Sequence, residues 1–557
     1  MKAASISLAC LCILWACSLG GPAQNAPGIL NISIIDAATK QRIPARVEVL
    51  DRDGKGYIAE TALLIGGDCT DREVPSQNTL EQCLGELTPK FTSLHTGTDQ
   101  FFADGACRLP VPPGDYRIRV FRGLEYRVNS RELPVRPGQT HDVVVALKRW
   151  SNLAEKGWHS ADSHLHIGRE FKELNPRICK FMQAEDINVG NLIQWGNARH
   201  FHNARQYAFG PEGQYHEGDY WLASGQENPR THFLGHTLTL GGGNPINVPD
   251  AYLVYKNFWE ESRRQNALSG YCHFALRRGA EDGIILDLFD NLLTFIEIIQ
   301  NERGIYQIWY DALNLGFRLV PIAGTDYPCG LTAQVTPGRE RFYTRVEGPL
   351  TYDSWLEGIR RGRTFVTNGP LLEFTVSGKR IGDEIELSET GPVVIEASVR
   401  FDAERDNVEA LEIVENGEVV RRFPRVGSAE EIRCRFERDI DESSWLAVRA
   451  SGRKRGELPS QRLADTQVAP SLAHSAPIYV TLKNAPVLGT HRRVKFIAAA
   501  WLERLAGLEY RLADNRLRDL ANYSASDGVS ADDLRKNKDA LLRRIAIAKQ
   551  QLNDRAR

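Results

Sequence analysis

Residues 158–170 read WHSADSHLHIGRE, a stretch in which two histidines stand two positions apart, shortly after an aspartate. If this stretch ends a β-strand, Asp162, His164 and His166 all project from one face, because strand side chains alternate with a period of two. Two imidazoles about 7 Å apart along the backbone can converge on one divalent ion. Asp162 would then orient an imidazole or reach a second ion. The alternative is a pair of surface histidines in a turn.

The segment around this stretch is rich in histidine. Nine of the 13 histidines lie between residues 159 and 273, namely His159, His164, His166, His200, His202, His216, His232, His236 and His273. Further along, Glu297 lies inside the apolar run LTFIEIIQ, and Asp326 follows the apolar run FRLVPIAG. A carboxylate in an apolar strand is costly to bury without a cation or a partner. A core hydrogen bond would explain each residue singly, but together they predict a metal centre.

Hydrophobic patterning divides the chain into four parts. Residues 27–150 and 371–485 alternate apolar and polar positions between turn signals, which predicts two β-sandwiches. Between them, in residues 151–370, apolar runs alternate with helical stretches, which indicates a βα architecture, open or closed into a barrel. In residues 486–557, Leu and Ile recur at helical spacing and predict a helical hairpin. This hairpin would pack on the body of the protein or on a second subunit of a homo-oligomer.

The N-terminal residues 1–23 have the layout of a secretory signal peptide: one lysine, an apolar run and then small residues. A lipoprotein is the alternative, because the sequence LWAC ending at Cys17 loosely resembles a lipid attachment site. Both alternatives predict a secreted or periplasmic protein with no transmembrane span in the mature chain. Export would permit a disulfide, and the spacing favours Cys69 with Cys83 or Cys107.

Charge and motif content exclude several classes of function. A net charge of -2 and a pI near 6.7 argue against nucleic-acid and anionic-membrane partners. The chain has no G-x-S-x-G motif, so an α/β-hydrolase is not supported. The glycine run at 241–243 lacks the Lys-Ser/Thr that follows in a phosphate-binding loop.

Six blocks of sequence, taken in order, resemble one family. The blocks are GWHSADSHLH, GQENPRTHFLGH, GYCHF, FIEIIQNE, the W-Y-x-x-L-N-x-G-x-R run before AGTD, and RTFVTNGP. Together they look like the CehA/McbA-type (carbaryl hydrolase-like) metallohydrolases of the PHP superfamily, named for polymerase and histidinol phosphatase. The likeness spans most of residues 28–485, and residues 27–150 also resemble carboxypeptidase-regulatory-like domains. It implies a distorted βα barrel flanked by two β-sandwiches.

The resemblance also implies the site residues. The implied metal ligands are His164, His166, Glu227, His273, Glu297 and Asp326. His236 is implied as a further ligand or as a proton carrier, and Asp326 or His236 as the catalytic group that moves the proton of water. The family often ends its last motif in Asp-x-His, whereas Asp326 is followed by Tyr327, Pro328 and Cys329. One or two ions are therefore expected, and a His/carboxylate set suits Zn, Mn or Fe.

The implied reaction is hydrolysis of a small-molecule substrate by water that a metal ion activates. Esters, amides and carbamates are the expected substrates, and phosphoesters are the alternative. A hypothesis from another class is an inactive binding or scaffold protein. His200, His202 and Arg205, in the stretch 194–210, would hold an anionic or polar substrate group, unless that stretch is only a surface loop.

Overall fold

The structure is a computed structural model that describes residues 26–63, 100–273, 282–300, 303–304, 306–327, 336–452 and 470–557. The predicted signal peptide, Cys17, Cys69 and Cys83 lie outside these ranges. Cys107 is a buried free thiol, so the alternative pairing of Cys69 with Cys107 is not found. Within the described ranges, no helix combines the length and the apolar character needed to cross a membrane.

The first part of the chain folds into two facing β-sheets. Its strands are β1 (Gly28–Asp36), β2 (Ala45–Asp51), β3 (Gln100–Ala103), β4 (Ala106–Val111), β5 (Gly114–Phe121), β6 (Asn129–Val135) and β7 (Thr140–Leu147). The strand orders are β4-β1-β7 and β3-β2-β5-β6. Every second residue of β1 is buried, and Leu30 and Ile32 meet Val47 and Ile118 in one core. This is the two-layer arrangement that the alternating pattern predicts.

The middle of the chain alternates strands with helices. The strands are β8 (Trp158–Leu165), β9 (Val189–Gly196), β10 (Phe201–Asn203), β11 (Tyr215–Glu217), β12 (Tyr220–Thr231), β13 (Gly235–Leu240), β14 (Leu268–Cys272), β15 (Phe295–Gln300), β16 (Arg303–Gly304), β17 (Val320–Ala323), β18 (Arg341–Arg345) and β19 (Thr364–Thr367). The helices are α1 (Asn175–Ala184), α2 (Lys256–Arg264), α3 (Asp282–Asp287), α4 (Gln307–Asn314) and α5 (Tyr352–Arg360). The mixed α/β character expected of this part is confirmed.

The pairing of these strands closes the central sheet. β8, β9 and β12 run parallel, β13 is antiparallel to both β12 and β14, and β14, β15 and β17 run parallel. A parallel bridge between Leu165 and Tyr327 joins the end of β8 to the segment after β17. The carboxyl ends of the parallel strands and the beginning of β13 therefore share one edge.

Buried ion pairs dock the first β layers on the central part. β2 is buried on both faces, because α1 and the residues after it cover the face turned away from the core. Phe102 and Phe181 pack against each other there, with ring centroids 4.7 Å apart. Asp186 lies 2.9 Å from Arg149 and 3.5 Å from Arg122, and all three side chains are largely withdrawn from water. The two parts are thus joined by contacts that are expensive to break.

A second β-rich part follows. Its strands are β20 (Leu371–Val376), β21 (Lys379–Arg380), β22 (Glu384–Leu387), β23 (Gly391–Arg400), β24 (Val408–Glu415), β25 (Glu418–Pro424), β26 (Glu431–Ile440), β27 (Ser444–Gly452), β28 (Leu472–Ser475) and β29 (Ile478–Leu482). One sheet has the order β21-β20-β23-β26, and the other strands pair with one another. Because β19 pairs with β28, the backbone pairing continues across the boundary expected between residues 370 and 371.

The C-terminal helices pack on the body of the protein. They are α6 (His491–Arg511), α7 (Leu517–Tyr523) and α8 (Ala531–Ala556), and Ser530 and Asp533 form a capping box at the beginning of α8. Ile497 and Trp501 of α6 and Leu541 of α8 are buried in the same core as the central sheet. The structure therefore has the hairpin covering its own chain, and a homo-oligomer through these helices stays a prediction.

Candidate metal centre

The residues that the sequence singles out gather at one edge of the central sheet. His164 lies at the end of β8, Glu227 in β12, His236 near the beginning of β13, His273 directly after β14, Glu297 in β15 and Asp326 after β17. Parallel strands direct their carboxyl ends to the same edge, and β13 begins there because it runs the other way. Segments more than 160 residues apart along the chain thus meet in one small volume.

His164, His166 and Asp326 form the first half of the cluster. The Nε2 atoms of His164 and His166 are 3.1 Å apart, and Asp326 Oδ1 lies 3.4 Å and 3.0 Å from them, respectively. The Nδ1 of His166 is 2.8 Å from the carbonyl oxygen of Ile193. Since a carbonyl oxygen only accepts, Nδ1 carries a proton, and Nε2 is the nitrogen that faces the cluster and that would bind an ion.

Glu227 links this half to a second pair of imidazoles. Its Oε1 lies 2.7 Å from His236 Nδ1 and 3.0 Å from His273 Nε2. Its Oε2 lies 3.4 Å from His166 Nε2 and 3.8 Å from His164 Nε2. A carboxylate with each oxygen facing a different imidazole pair has the arrangement needed to bind one ion or to bridge two.

Glu297 contacts the opposite side of His164. Its Oε2 lies 3.4 Å from the Nδ1 of His164, and its Oε1 accepts a hydrogen bond of 2.6 Å from Ser163 Oγ. The potential ligand atoms form two sets, and within each set all atoms lie within 4.8 Å of one another. One set comprises His164, His166 and Asp326, and the other comprises His164, Glu227, Cys272 and His273. Glu297 is in neither set. It contacts the Nδ1 of His164, and ligation of a metal ion by Glu297 stays a prediction.

Asp162 does not orient an imidazole, which corrects the expectation for this residue. The β8–β9 register shifts between Asp162 and Leu165, so the strict alternation assumed for the motif breaks down. The Asp162 carboxylate accepts hydrogen bonds from the backbone N–H groups of His164, Thr325 and Gly338 and from the Thr325 hydroxyl. Burial raises the pKa of Asp162 to about 6, although these hydrogen bonds act to lower it. The residue braces the strand that carries the histidines.

Backbone conformation at the site is unusual. His273 and Asp326 have φ values of +33° and +58°, a region that residues other than glycine rarely adopt. Such strain persists where the surrounding structure enforces it, and it is concentrated at functional sites. Gly324 approaches so closely that a Cβ there would lie 2.5 Å from the Cβ of His164. The glycine of the GTD motif is thus required by the packing of β8.

Electrostatics favour a cation in this cluster. Burial acts to lower the pKa of His164, but the carboxylates of Asp326 and Glu297 outweigh it and hold that pKa well above the usual range. Burial acts to raise the pKa of Glu227, but the charge of Arg230 and the imidazoles around the carboxylate outweigh it, so this pKa lies well below the usual range. Buried carboxylates that stay ionised attract positive charge, whether from protons or from a metal ion.

Several residues of the site have no strong signal in the sequence. The buried thiol of Cys272 lies 4.0 Å from Glu227 Oε1, and its only sequence signal is its place beside His273. The guanidinium of Arg230 lies 4.3 Å from the centroid of the Trp195 ring, with one nitrogen 3.5 Å from Glu227 Oε2. Nothing in the local sequence around Arg230 predicts this contact.

The C-terminal hairpin also reaches the edge of the site. Asp527, in the turn between α7 and α8, lies 2.6 Å from the Nδ1 of His232 and accepts a hydrogen bond of 2.7 Å from its backbone N–H. The His232 ring in turn meets the His236 ring edge-on, with centroids 6.0 Å apart. The backbone oxygen of Asp527 accepts from the N–H of Ala198. The hairpin therefore holds two of the loops that surround the cluster.

The three residues predicted to bind substrate lie outside the ligand sets found among the described residues. His200 is exposed and follows β9, and His202 lies in β10. Arg205 has its Nε 3.3 Å from a carboxylate oxygen of Glu170, and its side chain is 39% exposed. Their role in substrate binding stays a prediction.

Two comparisons with known proteins were negative. No protein-family model matches the chain, and a search of curated proteins found no match. The assignment to a family therefore stays the resemblance carried by the sequence blocks.

Proposed function

We propose that this protein is a metal-dependent hydrolase that cleaves an ester, amide or carbamate bond of a small molecule. The single observation that supports the proposal best is the convergence of His164, His166, Glu227, His273 and Asp326, from four separate segments, at one sheet edge. Structural polar networks do not require two imidazole Nε2 atoms to face each other at 3.1 Å beside ionised carboxylates. Such a donor set is typical of a cation site.

The donor chemistry fits a divalent transition-metal ion. Nitrogen from imidazole and oxygen from carboxylate suit Zn, Mn or Fe. His164, His166 and Asp326 would hold one ion, and Glu227 with His273 and His236 would complete this site or hold a second one. A bound ion would lower the pKa of water and polarise the substrate oxygen that it contacts.

The chain's own residues can position and move a proton. Asp326 and His236 have side chains that are 13% and 15% exposed, whereas His164 and Glu297 are fully covered. Burial acts to raise the pKa of Asp326, but His164 and His166 outweigh it and keep the carboxylate ionised. Burial lowers the pKa of His236 to about 4, so its imidazole is neutral near pH 7. Both groups are in the form that accepts a proton.

The proposal is tested with purified protein stripped of metal by a chelator and then reloaded with Zn, Mn or Fe(II). Aryl esters, aryl amides and aryl carbamates are assayed beside aryl phosphates with each metal. We expect cleavage of one of the first three classes that depends on added metal. Cleavage of phosphates alone would replace this proposal with the phosphoesterase alternative. A protein that binds no divalent ion after reloading would favour the scaffold hypothesis.

Two further assignments belong to the same proposal. We propose a PHP-like barrel for residues 151–370, supported by the closed mixed sheet and by the position of the donors at its edge. We propose export from the cytoplasm on the basis of the signal-like residues 1–23. N-terminal sequencing of secreted or periplasmic material tests export, because an intact Met1 would contradict it and a modified Cys17 would establish the lipoprotein.

A further inference from the structure

The backbone of Arg230 pairs with that of His236 in the central sheet, and its side chain lies beside the candidate metal centre. Its side chain is 17% exposed, and one of its nitrogens lies 3.5 Å from Glu227 Oε2. Among the described residues, its five side-chain N–H donors have no hydrogen-bond acceptor, and the carboxylates of Asp527 and Asp326 act on it only through their charge. The guanidinium is therefore charged, partly open to solvent and short of hydrogen-bond acceptors.

The protein holds this guanidinium in one orientation. Its Cζ atom lies over the Trp195 ring, 4.3 Å from the centroid, a geometry in which the cation is attracted to the aromatic face. The backbone is fixed as well, because the Tyr252 hydroxyl accepts from the N–H of Arg230 and donates to its carbonyl oxygen. The β12–β13 pairing is also irregular between Glu227 and Arg230. Such irregularities re-aim side chains at the edges of sheets.

A positive charge at this place has a consequence for ligand binding. A divalent ion held by Glu227 and its neighbours would bind the same carboxylate that pairs with Arg230. Glu227 would then share its negative charge between the ion and the guanidinium, so a further anionic oxygen beside both cations would be favourable. The guanidinium is also planar, and its donors match the paired oxygens of a carboxylate or a phosphate group.

We infer that Arg230, stacked on Trp195, binds an anionic oxygen group of the substrate next to the scissile bond. The inference rests on the proposed hydrolase function and names its substrate class: esters, amides or carbamates that carry a carboxylate or a phosphate-type oxyanion. Arg230 is then a specificity-determining residue, and its loss affects anionic substrates far more than neutral ones.

The test compares two aryl esters, the neutral 4-nitrophenyl acetate and the mono-4-nitrophenyl ester of succinic acid, which has a longer acyl chain that ends in a carboxylate. Each is assayed with the metal-loaded wild-type protein and the Arg230→Met and Arg230→Lys variants. The matched control is Arg199→Met, which removes an arginine from the loop after β9 that is paired with Asp533. Metal content is measured for every variant, so that a change at Glu227 is recognised as such.

We expect the wild-type protein to prefer the succinate ester by about 10- to 100-fold in kcat/KM, as one charged hydrogen-bonded pair provides. Arg230→Met should abolish this preference, so that the ratio of kcat/KM for the two esters falls to about one, whatever rate remains on the acetate ester. Arg230→Lys should keep part of the preference, because the charge remains and the planar fork is lost. Arg199→Met should behave as wild type.

Binding measurements separate the two possible anions and do not need turnover. Succinate and inorganic phosphate are titrated calorimetrically into the metal-loaded wild-type and Arg230→Met proteins. Arg230-dependent binding of succinate supports a carboxylate substrate, and Arg230-dependent binding of phosphate alone supports a phosphate-bearing one. An equal preference and equal binding in wild type, Arg230→Met and Arg230→Lys would overturn the inference. If neither ester is cleaved but Arg230-dependent binding is found, it is the hydrolase proposal that fails.

Discussion

Replacing Gly324 by alanine perturbs the candidate metal centre without altering any ligand. Gly324 has an ordinary backbone conformation, so alanine is not excluded by φ. The added Cβ would lie 2.5 Å from the Cβ of His164, 2.7 Å from Ser163 Oγ and 2.8 Å from Glu297 Oε1. Carbon atoms in contact are ordinarily about 3.5 to 4.0 Å apart, so the strand carrying His164 and the GTD segment must separate by about 1 Å.

Two effects of this separation can be estimated. Overpacking of a well-packed site costs about 1 to 3 kcal/mol of unfolding free energy. A shift of this size also moves His164 relative to Asp326 and disturbs the contact of its Nδ1 with Glu297. Loss of such an orienting contact typically weakens metal binding by about 10- to 100-fold. We therefore expect Gly324→Ala to be folded, less stable and poor at retaining metal.

The assay combines chelator competition, which gives the metal dissociation constant, with denaturant unfolding of the metal-free protein. The matched control is Gly243→Ala, because a Cβ at Gly243 would have no heavy atom within 4 Å. Unchanged metal affinity and unchanged unfolding free energy in Gly324→Ala would refute the view that close approach of the GTD segment positions His164.

Three further predictions concern ligation, docking and pH. His166→Ala should lose bound metal, and its turnover should fall by several orders of magnitude. His159→Ala, in β8 but outside the cluster, should keep both. Metal analysis and a rate assay test this, and full metal occupancy in His166→Ala would contradict the proposed site. Asp186→Asn removes the carboxylate that pairs with the buried Arg122 and the partly buried Arg149, and should reduce the free energy of unfolding by about 3 to 5 kcal/mol in denaturant titrations. A change below about 1 kcal/mol would contradict a structural role for these pairs. Burial lowers the pKa of His474 to about 3, below the 6.5 of the unfolded chain. The stability that the protein gains from keeping this ring neutral is therefore fully present above pH 6.5 and is lost as the pH falls toward 3. At pH 5 this loss is about 2 kcal/mol. The unfolding free energy of His474→Gln should therefore depend less on pH than that of the wild-type protein. An equally steep pH dependence in both proteins would exclude His474 as its source.

His474 shows why single residues are hard to interpret from sequence. It stands at a strand position with no motif around it, yet its Nδ1 lies 2.8 Å from the Ser475 carbonyl oxygen and its Nε2 lies 2.6 Å from the Tyr310 hydroxyl. Both nitrogens are therefore satisfied by a neutral ring. Tyr310 belongs to α4 and is far away along the chain, so only the fold reveals this partner.

The sequence by itself determined what depends on local pattern. The resemblance of ordered sequence blocks to a known family implied Glu227, His273 and Asp326 as neighbours of His164. Period-two alternation predicted the strands of both β-rich parts, and helical spacing predicted α6 and α8. Each of these signals follows from residues a few positions apart, because strand and helix geometry repeats over two to four residues.

Only the tertiary structure decided how those residues face one another. The alternation assumed for Asp162, His164 and His166 failed at a register shift, and Asp162 turned to backbone donors instead. Arg230 on Trp195, and Asp527 on His232, are contacts between segments that no local pattern relates. The physical reason is that side-chain direction at a sheet edge depends on bulges, positive φ and the approach of loops, which are fixed by packing of the whole chain.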